Sequence, residues 1–173
     1  MLKKQVLQYI EANTELQLFD FEQQYIETNA INVEGKKMVD KAYTMDFIER
    51  CSKETEEAIA TEIAEFLATP IQYLKENQGE FVYAESASFD LICIDAIALE
   101  FDEAFNLYTA LFGLKLQKKH SEAIRGFLKA NVKSKLGSSS ASFAGQEGIW
   151  ELNVALDCIE GFREDMTLQE IYT

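Results

Sequence analysis

After Gly79 the apolar residues change their spacing, and that change sets the fold class. Before it, apolar side chains recur at three- and four-residue steps. Beyond it they gather in short runs rich in Phe, Val, Ile, Tyr and Leu. The first spacing suits one face of a helix and the second suits strands. Residues 149–157 are the clearest strand: Trp150, Leu152, Val154 and Leu156 alternate with Glu151 and Asn153. Such alternation buries one face and leaves the other wet. Ser139–Ala144 is its hairpin partner across Gly145-Gln146-Glu147-Gly148. Phe81–Ser86 and Phe89–Leu99 also read as strands. Asn106–Leu116 fits a strand and a helix almost equally, and is assigned as a strand. Gln117–Asn131 reads as a helix, with His120, Ile124, Phe127 and Leu128 inward and basic residues outward.

The first half predicts helices. Leu2, Val6 and Ile10 stand four apart over residues 2–12. Thr14, with Gln17 three residues on, offers a capping box for a second helix reaching Thr28. Residues 29–43 read as a loop around Gly35. Ile48, Cys51, Ala58, Ile59, Ile63, Phe66 and Leu67 form the longest stripe, with glutamates on the other side, so a helix is expected over roughly 44–69. Thr69-Pro70 restarts it, with Pro70 at the first helical position. Thr167 and Glu170 open a short final helix. A helix that brief needs to dock on the body, unless the chain is truncated there.

The expected fold is therefore α+β: an antiparallel sheet of about five strands, helices on one face and an N-terminal helical extension. A chain of 173 residues suits one domain, here residues 1–43 packed on a body of 44–173. The body's element order, helix, three strands, helix, two strands, helix, resembles that of the small acidic chaperones of type III secretion. That resemblance covers residues 44–173 and rests on element order and acidity. It implies dimerisation through the middle helix, yet here that helix is basic, and two copies face to face would repel.

Charge is segregated. Residues 115–135 hold seven of the sixteen basic residues (Lys115, Lys118, Lys119, Arg125, Lys129, Lys133 and Lys135) against Glu122 alone, a net charge of +6. The remainder carries 9 basic and 29 acidic residues, or −20. Such a strip attracts an anion or an acidic surface of a partner or second copy. Lys118, Arg125, Lys129, Lys133, Ser138 and Ser139 are the candidate binding residues. The overall charge of −14 argues against nucleic acid and anionic lipid as partners over most of the surface. No apolar tract approaches bilayer length, no leader is legible, and the three cysteines are spaced as free thiols, so a cytoplasmic setting is expected.

Most common chemistries lack their residues. His120 is the single histidine and no nucleophile elbow accompanies it, so no catalytic residue is assigned. Cys51, Cys93 and Cys158 lack the close spacing of a zinc site. No phosphate loop, dinucleotide fingerprint or other cofactor signature is present, so no cofactor is expected. Asp90, Asp95 and Glu100 cluster around one expected strand, Asp90 and Glu100 on one face and Asp95 on the other. A carboxylate inside such an apolar run demands a counter-ion or water. Three functional readings follow. The first is a cytoplasmic interaction or regulatory protein, chaperone- or adaptor-like, binding an acidic protein or forming a homodimer. The second is a small-anion-binding protein or enzyme using the basic helix and the serine turn. The third is a carboxylate metal site at Asp90, Asp95 or Glu100.

Overall fold

A computed structural model describes residues 2–173. The chain forms two compact units, the first ending at Thr44 and the second covering Met45–Thr173. In the first unit, α1 (Leu2–Ala12) leads into β1 (Glu15–Leu18), α2 (Asp20–Thr28) and β2 (Lys37–Asp40). The expected helical extension thus also holds two strands, paired in parallel with Leu16 opposite Met38. Two expectations change here. The Thr14–Gln17 stretch is strand, because Leu16 and Leu18 bury on one side while Glu15 and Gln17 stay exposed. Helix α2 begins later, where Glu22 Oε2 accepts the Phe19 backbone N–H at 3.0 Å. Val6, Ile10, Leu16, Leu18 and Ile26 make this unit's core.

In the second unit, β3 (Phe47–Ser52) and β4 (Ala58–Thr61) occupy the stretch expected as the longest helix. Helical spacing and strand alternation both match this segment, and pairing decides between them. β3 bonds along its whole length to β5 (Glu80–Glu85), Phe47 opposite Glu85 through Ser52 opposite Glu80. A sheet partner overrides local pattern. Ile59 and Ile63, which a helical stripe would bury, are 49% and 70% exposed. The element order behind the chaperone resemblance changes with them.

A 3-10 turn at Ala64–Ala68 then leads to α3 (Gln72–Glu76). Pro70 lies before this helix in a bridge to Thr167, so it is not the first helical residue. Ser86 caps α4 (Ala87–Leu91), its hydroxyl accepting the Ser88 N–H at 3.1 Å. That cap removes residues 89–91 from the expected strand, and β6 spans Ile94–Asp102. β7 (Leu107–Leu114) is a strand, and α5 (Ser121–Asn131) follows a 3-10 turn at Lys118–His120. β8 (Ser139–Ala144), β9 (Ile149–Ala155) and α6 (Leu168–Tyr172) complete the chain. The Thr167 hydroxyl accepts the Glu170 N–H and the Glu170 carboxylate accepts the Thr167 N–H, as the capping box requires.

The sheet is antiparallel with seven strands in the order β4-β3-β5-β6-β7-β9-β8, two more than expected because of the β3–β4 hairpin. Rows of side chains cross it in register. Ile48, Ala84, Ile97, Phe112, Leu152 and Ala141 form one row on six successive strands. Val82, Leu99, Ala110 and Val154 form the next. Leu74 of α3, Phe89 of α4, and Leu168 and Tyr172 of α6 belong to the same buried cluster as Val82, Ala84 and Leu99. Ile124 of α5 packs with Trp150 and Leu152. The opposite rows, such as Glu49, Tyr83, Ala98, Leu111, Asn153 and Ser140, mix polar and apolar residues over two shallow depressions of about 650 and 610 Å³. Among the described residues, no helix is long and apolar enough to cross a membrane.

Arg50 ties β3 to its neighbours. Its guanidinium donates to Glu62 at 2.6 Å, to the Tyr73 hydroxyl at 3.0 Å and to Glu80 at 3.1 Å, with its side chain 24% exposed. Removing one member leaves the others desolvated and unmatched. Arg50→Ala is expected to lower stability by about 3 kcal/mol in urea unfolding, whereas Arg163→Ala, whose pair with Asp165 is open to water, is expected to be near neutral.

Candidate interaction surface

Helix α5 lies on the sheet because Ile124 and Leu128, four residues apart, both face Trp150 and Leu152. Its end is tied down. The Asn131 side-chain amide donates to the Phe127 carbonyl at 2.8 Å, Val132 bridges to Ile159, and the Lys133 N–H donates to the Cys158 carbonyl at 2.8 Å. Lys133 therefore lies beyond the helix that carries Arg125 and Lys129. Arg125 and Lys129 share one exposed flank, and Lys133 and Lys135 continue in the segment entering β8.

Two cations of the strip are engaged. Lys115 pairs with Asp95 across adjacent strands. The Lys118 ammonium lies 5.8 Å from the centroid of the Phe143 ring on β8. Lys119, Arg125, Lys129, Lys133 and Lys135 are exposed, and no described carboxylate reaches ion-pair distance of them. The strip thus meets solvent as uncompensated positive charge.

The two flanks of α5 differ. On one, a cavity of about 820 Å³ opens between the helix and the sheet, lined by Ile94, Phe112 and Leu156 below and by His120, Ala123 and Phe127 on the helix side. Phe127 is 67% exposed at its rim. Arg125 lies roughly 160° around the helix from Phe127, on the flank away from that cavity. Lys118, in the turn before α5, stands over Phe143 of β8, the outer strand of the sheet.

The chain from Gly137 into β8 is built tightly. Gly137 has φ +78, and a Cβ there would fall 2.8 Å from the Phe105 ring, so only glycine fits. The Ser138 N–H donates to the Lys135 carbonyl at 3.0 Å and its carbonyl accepts the Ala155 N–H at 2.8 Å. The Ser138 amide is thus committed within the turn and is not free for an anion. Ser139 begins the strand and is exposed.

The carboxylates expected around one strand separate. Asp90 is on α4 and shares no strand face with Glu100, because the Ser86 cap turns that stretch helical. Asp95 is exposed beside Lys115, and Glu100 lies 3.6 Å from Lys53. No group of three or more His, Cys, Asp or Glu among the described residues is arranged to hold a metal ion. The three cysteines are unpaired, with Cys51 and Cys158 buried, and burial followed by the Glu49 charge pushes the Cys51 thiol up.

Sequence reasoning missed β8 as a surface. Its signal is a run without charge, Leu136 to Gln146, directly after the most basic stretch of the chain. In comparisons with known proteins, the chain matches no family, no curated protein and no solved structure.

Burial and then nearby negative charge have a measurable consequence at two tyrosines, Tyr83 on the sheet's other face and Tyr108 in the core beneath the helices. Burial and then Glu85, with Asp95 and Glu49 beyond, pushes the Tyr83 hydroxyl up to about 12; burial and then Glu164, Asp157 and Glu76 do the same at Tyr108. A phenol raised in the folded state stabilises fully below its ordinary value near 10 and loses that contribution as pH climbs through 12. The thermal midpoint is expected to fall between about pH 10 and 12, with tyrosinate absorbance showing late-titrating phenols, and Tyr83→Phe to reduce that slope.

Proposed function

We propose that this protein is a non-enzymatic interaction protein, adaptor- or chaperone-like, that docks an acidic protein surface on the cations of α5 and of the segment entering β8. The observation that carries this reading is the group of exposed, uncompensated cations, Lys119 in the turn before α5 and Arg125, Lys129, Lys133 and Lys135 on α5 and after it, on a chain whose remainder is strongly anionic. Thirty acidic residues are available within the chain, yet none described pairs with Arg125, Lys129, Lys133 or Lys135. Leaving like charges together has a repulsive cost that an anionic partner relieves. A cytoplasmic setting accords with three unpaired thiols.

Charge complementarity of this kind acts first on encounter rate and orientation. With a poly-glutamate peptide as probe, R125E/K129E/K133E is expected to slow association about tenfold or more at low salt. Raising ionic strength should erase the difference, because exposed charges are screened beyond about 10 Å at 0.1 M salt. The unfolding midpoint should stay unchanged. Equal association by the variant and the parent at low salt overturns the reading.

A further inference from the structure

The backbone of β8 extends this reading, on which the following step rests. The Ser138 carbonyl bonds inward to Ala155, and β8 pairs with β9 without a register shift from Ser139 to Ala144. In an antiparallel ladder, N–H and C=O groups point alternately to the two sides of the strand. Ser140 and Ser142 therefore bond toward β9, and the backbone groups of Ser139, Ala141 and Phe143 point outward from the sheet. These are three donors and three acceptors on a strand with no further neighbour.

Proteins normally guard such an edge with charge, proline, a bulge or shortness. The opposite edge, β4, has four residues and is flanked by Glu56, Glu57 and Glu62. β8 has six residues, no charge, no proline and no bulge. Its cations stand beside it instead: Lys118 over Phe143 toward one end, Lys133 and Lys135 just before the other.

We infer that β8 is a strand-addition edge that takes an extended acidic segment of the partner as an eighth strand. Backbone pairing would hold the segment, and alternate side chains would meet different surroundings. Side chains on the face of Ala141 and Phe143 lie on the α5 side of the sheet, where Lys118 stands over Phe143; those on the other face lie beside Ser140, Ser142 and the exposed Glu151. The fitting sequence thus alternates Glu or Asp with uncharged β-forming residues. A second copy fits less well. Antiparallel pairing of β8 with itself brings the start of one strand to the end of the other, setting Lys133 and Lys135 against Lys118 of the second copy.

The test uses the whole chain and an acetylated, amidated eight-residue peptide alternating Glu with Val and Thr. A strand pairs through alternate amides only. N-methylation of one alternate set of peptide amides is expected to weaken binding about tenfold or more, while methylation of the other set is tolerated. Hydrogen exchange at Ala141 and Phe143 should slow on adding the peptide. Ala141→Pro removes one outward N–H without touching the β9 ladder and should weaken binding likewise; should that variant misfold, the methylated peptides still decide. If both methylated peptides bind as the parent does while R125E/K129E/K133E still weakens binding, strand addition is wrong and the electrostatic reading stands. If the charge reversal also has no effect, or the peptide does not bind, both fall. Protection of Ala141 and Phe143 that rises with protein concentration in the absence of peptide gives the edge to a second copy and overturns the proposal.

Discussion

The pairing of β9 between β7 and β8 is the constraint on which the proposed docking surface depends. Trp150, Leu152 and Val154 are all below 10% exposed, while Glu151 on the opposite parity faces water. A slip of one residue would turn that set outward and bring Glu151 against Ile124. The register is thus held by the full burial of three large side chains, each contributing about 1.5–3 kcal/mol. It seats α5 through Trp150 and Leu152. It also decides which backbone groups of β8 turn inward, since those opposite Asn153 and Glu151 must bond to β9. Helix position and edge polarity follow from one strand.

That strand was also the most legible part of the sequence. Period-two alternation over residues 149–157 has one structural interpretation, and α5 has nearly as clear a stripe. Residues 44–69 do not. Ile48 and Cys51 stand three apart, as on a helix, yet on β3 they face opposite sides of the sheet. Only the presence of β5, thirty residues downstream, resolves the ambiguity, and a long-range partner leaves no local trace. The same holds for the site. The concentration of cations was visible, but not their geometry. Lys115 is withdrawn by Asp95 because β6 and β7 are neighbours, and Lys133 is held in the segment after α5, where Val132 bridges to Ile159. Asp90 and Glu100 parted because a single serine cap made residues 87–91 helical.

The ion pairs that do form explain why the strip remains bare. Arg50 meets Glu62 and Glu80, Lys53 meets Glu100, and Lys115 meets Asp95. Each pairing joins residues that strand pairing has already brought close, so little additional order is required. Helix α5 crosses a part of the sheet where the row beneath it is apolar, and β8, the outermost strand, carries no carboxylate. Only Glu122 lies on the same flank, three residues from Arg125. The positive field is therefore a consequence of topology as much as of composition.

Cations and strand edge contribute different things to recognition. Exposed lysines on long flexible stems attract any anion and are weakened by salt, so by themselves they select little. Outward N–H and C=O groups along β8 are directional: they accept only an extended backbone, in one of two polarities, at fixed spacing. The apolar cavity on the other flank of α5 lacks that directionality, because burial of aliphatic surface is roughly indifferent to orientation. If the proposed docking holds, specificity would reside in the strand, with the cations setting how fast a suitable segment arrives. On the proposed reading, the anionic remainder of the chain would add a further filter, repelling acidic segments from other surfaces.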